Sequence, residues 1–257
     1  MNIYKILRSV MRIMKLIRRI MRISYKVHHQ TSRRKAYHHK KAAWFFALIA
    51  TFIGLSSCDD YQPQDTTIHV GYILCDNHSC ISPKAYFAQN THKAVGVVFA
   101  EQTKEHPLMA VMLGELNDVF CDSIGLVNGT SGSLTALDGV ANTRAMQVSS
   151  NAAKKNFCPL AMQLLTFHAG GQSDYLPSVA EQRLLNVSAP RINPIIEKLG
   201  GIPIDLVGDC WYWTSTEVNE NKGLQAWLCS AANGGIIETP KVERHKARAI
   251  IQINYGN

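Results

Sequence analysis

An α+β fold is expected for residues 68–257: one domain of short helices packed on a twisted, mostly antiparallel sheet. Three observations predict it. Residues 94–100 (AVGVVFA) and 108–113 (LMAVML) are compact apolar runs split by a polar segment containing Pro107. Between residue 142 and about residue 199, apolar residues recur at helical spacing. Beyond Gly200-Gly201 the pattern returns to short β-like stretches separated by polar turns. The order is β-rich, helical, β-rich.

The elements follow in turn. Residues 70–74 and 80–82 read as a short hairpin around Asp76-Asn77. The runs 94–100 and 108–113 read as two buried strands of one sheet. Residues 128–133 (NGTSGS) are a loop by composition. From Asn142 to about His168, positions such as Ala145, Met146, Ala152, Ala153, Phe157, Leu160, Ala161 and Leu164 mark a helix that Pro159 bends or interrupts. Ser178 precedes Glu181 by three residues, a capping box opening a helix through Leu185. A second short helix is expected over about 190–199, closed by a left-handed cap at Gly200-Gly201. Strands are expected at 211–215, 225–230, 236–238 and 247–254, with turns at 219–223 and 233–235.

The segment before the domain has a different character. Of the 27 Lys+Arg in the chain, 13 lie in residues 1–57, which hold no Asp or Glu. That leaves 14 against all 19 acidic residues, so residues 58–257 carry a net charge of −5. The basic character belongs to a leader, and a nucleic-acid partner is not expected. Residues 42–55 (AAWFFALIATFIGL) form an apolar run of signal-peptide length, shorter than a comfortable membrane span. It ends Leu55-Ser56-Ser57-Cys58, which resembles the lipobox of bacterial lipoproteins. The resemblance implies cleavage before Cys58, acylation of that cysteine and a lipid anchor in the membrane. Residues 58–67 then form a lipidated tether. Asp59-Asp60 resembles the acidic signal that sends some Gram-negative lipoproteins to the outer face of the outer membrane. Upstream, Ile3, Ile6, Leu7, Val10, Ile13, Met14, Ile17 and Ile20 recur at helical spacing opposite basic residues. Two readings stand: a basic amphipathic membrane-surface helix, or sequence preceding a true start at Met21, the preferred one because it leaves a leader of ordinary length.

Six cysteines follow residue 58: Cys75, Cys80, Cys121, Cys158, Cys210 and Cys229. An exported chain meets an oxidising compartment, which allows up to three disulfides. Cys75 and Cys80 flank the first turn, and Cys210 and Cys229 flank a predicted hairpin; these are the candidate pairs, with buried thiols as the alternative.

Several motifs in consistent order resemble one family. The stretch GQSDYLPSVAE at 171–181 looks like the "G-x-x-D-W/Y-x-L-P-S-x-x-E" segment of the Lcl C-terminal domain family, which is related to sulfatase-modifying-factor and C-type-lectin-like folds. Trp213-Thr214-Ser215-Thr216-Glu217 is similar to its "Y-W-S-S-T-E" strand, Ala226-Trp227 to the next strand, and Ala247-Arg248-Ala249-Ile250 to its closing strand. Residues 73–83 and 94–99 resemble the opening of exported lipoprotein members. The resemblance spans about residues 70–254 and implies a single C-type-lectin-like domain used for display and binding. It names no ligand.

The candidate binding residues are Trp211, Tyr212, Glu217, Asn219, Asn221 and Lys222, with Glu220 in the same turn. On a strand Trp211 and Trp213 share one face and Tyr212 the other; Trp213 and Trp227 are expected in the core. Exposed aromatics can stack on sugars, and a polar loop held by a rigid sheet is where binding usually resides. Glu217 and Asn219 carry oxygen ligands of the type calcium takes, but the lectin triplets Glu-Pro-Asn and Trp-Asn-Asp are absent. Cys75, His78 and Cys80 lack a fourth zinc ligand. No cofactor, resident metal or catalytic residue is expected: there is no nucleophile elbow, P-loop or dinucleotide fingerprint. The expected function is a lipid-anchored outer-membrane lipoprotein that binds carbohydrate, a matrix protein or an envelope protein. The alternatives are a structural subunit of the envelope or of a surface assembly, and a cysteine-dependent oxidase of the sulfatase-modifying type.

Overall fold

The computed structural model describes residues 11, 13–20, 67–89, 92–153, 157–165, 168–169 and 172–253. The chain divides into two compact units, residues 1–65 and 66–257. In the first, residues 13–20 are helical and exposed, as their apolar spacing predicts. The apolar run at 42–55, the lipobox with Cys58, and all but the last residue of the tether lie outside the described residues. Among the described residues no helix is long and apolar enough to cross a membrane.

The second unit is α+β, as expected, but holds two five-stranded sheets and a two-stranded ribbon rather than a single sheet. The first sheet has the order β12-β4-β3-β1-β2 and is antiparallel throughout: β1 Ile73–Cys75, β2 Cys80–Ile81, β3 Ala94–Ala100, β4 Leu108–Met112 and β12 Ile250–Ile253. Both faces of its centre are covered. Val97, Phe99, Met109 and Val111 join one apolar cluster, and Val98, Leu108, Ala110 and Met112 join another. A strand buried on both faces has no polar side to show, so β3 and β4 read as continuous apolar runs instead of alternating.

The second sheet has the order β10-β9-β8-β11-β5: β5 Leu116–Val119, β8 Trp211–Glu217, β9 Gln225–Ser230, β10 Ile236–Pro240 and β11 Arg244–Ala247. Its pairings are antiparallel except β8 with β11, which run parallel with Lys246 opposite Tyr212. Strands β6 (His168–Ala169) and β7 (Gln172–Ser173) form the ribbon. The expected strand over 247–254 is shorter, β12 alone; β11 ends at Ala247 and belongs to the other sheet. After β11 the chain passes through buried Arg248 and Ala249 and enters β12. Arg248 donates to the carbonyls of Gly114 (3.0 Å) and Ile202, which holds this crossing in place. Desolvation alone lowers its guanidinium pKa.

Among the described residues of this unit there are four α-helices: α1 Pro83–Gln89, α2 Gly139–Ala152, α3 Pro159–Gln163 and α4 Val179–Lys198. The expected long helix is interrupted: α2 ends at Ala152, and Pro159 stands in the first turn of α3. Helix α4 corrects the expectation of two short helices: it runs 20 residues with Pro190 and Pro194 inside. Each proline removes one backbone donor, but both belong to a stretch whose Leu185, Ala189, Ile192 and Ile196 are fully buried against β3 and β4. Burying Leu185, Ile192 and Ile196 contributes about 2 kcal/mol each, comparable with the roughly 3 kcal/mol that each interior proline costs. The helix opens on a complete capping box. Ser178 accepts from the Glu181 amide, and Glu181 from the Ser178 amide at 2.7 Å. It closes at Gly200, whose φ of +76° is the left-handed conformation that favours glycine. Helix α1 and strand β5, both short, were not expected.

Candidate functional site

At the C-terminal end of β8, three loops meet: residues 122–138, 218–224 and 241–242. Their junction is built from inside outwards. Glu217, the last residue of β8, is fully buried. One carboxylate oxygen pairs with the ammonium of fully buried Lys241, and the other accepts from the Thr130 hydroxyl. Lys241 also donates to the carbonyls of Lys222 and, at 3.3 Å, of Gly125. One buried ion pair therefore ties β8 to all three loops. Lys222 reaches across to the carbonyl of Thr130 at 3.1 Å, and the Asn219 amide to that of Gly132 at 3.3 Å. Gly132 has no room for a side chain, since a Cβ there would meet the Asn219 side chain at 1.9 Å.

The long loop is pinned further from below. Ser131 donates its amide to buried Asn142 of α2 at 2.7 Å. Ser178 donates its hydroxyl to Ala136 O at 2.8 Å, and Glu181 accepts from the Gly139 amide at 3.2 Å and from Tyr175 Oη at 3.1 Å. Burial pushes the Glu181 carboxyl above the ordinary glutamate value of 4.5, against these donors that pull it down. The capping box of α4 thus doubles as an anchor for the loop.

Above these anchors lies a mixed surface. Asn219, Glu220 and Asn221 are exposed. Ile124, Leu126, Leu224 and Val242 are 69%, 57%, 48% and 45% exposed. The Gly125 amide donates to Gly223 O and the Lys241 amide to Leu224 O, both at 3.0 Å, so the backbone segments bearing these four residues are directly joined. Exposed apolar side chains on joined segments, beside exposed amides and the Glu220 carboxylate, are what an interaction surface presents.

The residues expected from sequence divide accordingly. Asn219, Asn221 and Lys222 stand at this junction, as does Glu220. Glu217 belongs to it but not to its surface: both carboxylate oxygens face inward, engaged by Lys241 and Thr130, so its reading as a ligand-facing or calcium-binding group is corrected. The strand runs to Glu217, two residues past the expected 211–215. Tyr212 is also fully buried, at the other end of β8; its hydroxyl donates to Glu115 at 3.2 Å and accepts from the Asp205 amide at 2.9 Å. Burial raises its phenol pKa, further from the range in which it could ionise. Trp211 is half-buried against the core, and Trp213 is enclosed between Phe120 and His245. Lys241 and Thr130 were missed. Nothing in the local sequence marks a lysine after Pro240 as interior, because its partner is 24 positions away.

The expected disulfide pairs do not form here. Cys75, Cys210 and Cys229 carry free thiols. In the β1–β2 register, Cys80 stands opposite Leu74 rather than Cys75. Cys210 Sγ lies 3.3 Å from Ser230 Oγ, and Cys229 Sγ accepts from Asn186 Nδ2 at 3.6 Å, with burial pushing the Cys229 thiol up to about 11. Among the described residues no three His, Cys, Asp or Glu side chains converge as a metal site.

No family model matches this chain, and no curated protein matches it. Among solved structures it is similar to a fimbrial protein from Bacteroides ovatus, with a TM-score of 0.56 at 14% identity. The match covers 71% of this chain and 48% of that one, so it spans about half of the fimbrial protein's length. At this identity the likeness is one of fold.

Proposed function

We propose that this chain is a lipid-anchored surface lipoprotein. Its 66–257 unit, a C-type-lectin-like domain of the Lcl C-terminal kind, binds a carbohydrate, a matrix protein or an envelope protein without performing chemistry. The observation that carries the reading is the loop junction at the end of β8. Exposed apolar and amide groups there are held on a buried ion pair, a preorganised surface that loses little entropy on binding. The lipobox sequence at Cys58 supplies the anchor, and the acidic pair after it favours the outer face. Binding is preferred over cysteine-dependent oxidation because burial keeps Cys229 a protonated thiol and Cys210 has a serine hydroxyl for its neighbour. The likeness in fold to a fimbrial protein favours one variant, a tip or accessory subunit of a surface assembly that uses the same junction against its neighbour.

Protease shaving of intact cells, with mass spectrometry of released peptides and of the residual N-terminus, tests the reading. Release of peptides from 66–257, with acylated Cys58 left in the membrane, is expected. Acylated Cys58 without release would move the domain to the periplasmic side and favour the structural envelope role. Unmodified Cys58 would refute the anchor itself. For the binding surface, Leu224→Asp is expected to abolish capture by whichever glycan or matrix ligand the wild type retains, with an unchanged unfolding midpoint.

A further inference from the structure

Away from the expected cysteine pairs, Cys121 and Cys158 are free thiols in the structure, but their sulfurs lie 3.3 Å apart, inside the contact distance of two unbonded sulfur atoms and about 1.3 Å from bonding distance. Both are fully buried, in the cluster that holds Phe120, Phe157 and Leu160. The backbone is already joined beside them: the Asp122 amide donates to Phe157 O at 2.8 Å. Each cysteine is also fixed from its far side. The Cys121 amide donates to Lys241 O at 3.0 Å, and the Cys158 amide to Ser150 Oγ of α2 at 2.8 Å. Two thiols held in contact beside a paired backbone are placed for joining.

We infer that Cys121 and Cys158 form a structural disulfide that staples the exit of β5 to the start of α3 and closes the base of the 122–138 loop. The step is a two-stage thiol–disulfide exchange with a disulfide donor, glutathione disulfide in the tube or a disulfide-carrying oxidoreductase in the cell envelope. One cysteine, as thiolate, attacks the donor and releases one donor thiol. The second then displaces the other donor thiol from the mixed disulfide. Two cysteine thiols are oxidised, one donor disulfide is reduced, and the two protons leave on the donor thiols. In the folded chain the two thiols share one hydrogen bond, in which either sulfur can be the donor.

Burial sets when this happens. Neither sulfur is open to a donor in the finished fold, so the bond forms while the loop is closing, and once formed it is shielded from reductants. It encloses a span of 37 positions, long enough for a cross-link to restrict the unfolded chain appreciably. The span carries Ile124, Leu126, Thr130 and Ser131, so the staple also stiffens the proposed binding junction. The inference depends on the proposed export only for the oxidant met in the cell.

The test is oxidative refolding of the full-length chain, reduced and denatured, then diluted into a reduced/oxidised glutathione mixture, alkylated and digested. A linked peptide pair containing Cys121 and Cys158, two hydrogens lighter than the separate thiols, is expected; Cys75, Cys210 and Cys229 are expected to be alkylated. Dithiothreitol should open the bond only when denaturant is added, and the oxidised form should melt about 5–10 °C above the reduced one. A Cys121→Ser chain should leave Cys158 alkylated, and a Cys210→Ser chain should give the same linked pair as the wild type. Alkylation of both Cys121 and Cys158 after refolding, or linkage of either to another cysteine, would overturn the inference. Linkage in the tube with free thiols in cell extracts would support the pair and refute the export reading instead.

Discussion

The two ends of β8 hold charge in opposite ways. At its C-terminal end, Glu217 and Lys241 are both wholly excluded from water, and each finds hydrogen-bond partners besides the other. At its N-terminal end, Lys246 lies over the ring of Tyr212 and reaches Asp205 at 3.5 Å and Asp209 at 3.6 Å, side chains 37% and 65% exposed. Both ends join an ammonium to carboxylate, but the energetics differ. Water screens the open pairs and leaves them a small net effect. In the closed pair each charge has lost its hydration, so each depends on the other to remain tolerable. The closed pair is also the one beneath the proposed surface. Geometry there is fixed by a contact that cannot be half broken.

The largest effect is therefore expected from Lys241→Met. It leaves Glu217 buried without its cation, and should cost about 3–5 kcal/mol, read as a drop of roughly 10 °C in the unfolding midpoint. Adding Glu217→Gln to Lys241→Met should recover at least half of that loss, because no unpaired charge remains. A double variant no better than the single would mean that the pair acts only by filling space, and the contrast between the two ends would fail.

Glu181 sharpens the contrast from a third direction. It is a carboxylate in a similar interior, but its partners are the Ser178 and Gly139 amides and the Tyr175 hydroxyl rather than a cation. Its folded pKa is raised, with burial the largest cause. The folded state thus holds this proton more tightly than the unfolded chain does. The stability it contributes is fully present below the unfolded value of 4.5 and is lost as pH rises through the raised folded value. Glu181→Gln keeps an oxygen for the two amides and removes the ionisation. Urea midpoints should then fall less between pH 4.5 and pH 8 than in the wild type; equal slopes would mean that burial does not govern this group.

The smallest effect is expected at the open end. Lys246→Met removes the ammonium from the Tyr212 ring and from the two carboxylates, and should shift the midpoint by no more than about 3 °C. That shift should vanish in high salt, whereas the Lys241→Met loss should persist. A salt-insensitive loss at Lys246 would place both ends in one class.

How far the sequence was legible follows the range of the forces involved. Strands β3 and β4 could be read because burial on both faces leaves an unbroken apolar run. The capping box could be read because Ser178 and Glu181 are three residues apart. Gly200 could be read because one backbone conformation demands it. Helix α4 was cut short because prolines speak locally, while Leu185, Ile192 and Ile196 answer to β3 and β4, far along the chain. Strand β11 was hidden because Arg244, His245 and Lys246 give no apolar run, and only sheet pairing marks them as a strand. At the site, the turn 219–222 was legible from its polar residues. Glu217 was misread as part of that turn because a buried glutamate and an exposed one are the same letter.

By itself, then, the sequence determined what depends on neighbours a few residues apart. This covers the change of charge at Cys58, the lipobox pattern, the α+β order of elements, and the caps and turns. Tertiary structure alone decided what depends on distant partners: the division into two sheets, the burial of Glu217 against Lys241, and the meeting of Cys121 with Cys158. The physical reason is desolvation. A charge or a thiol changes character according to whether water reaches it, and that is decided by which remote segments close over it.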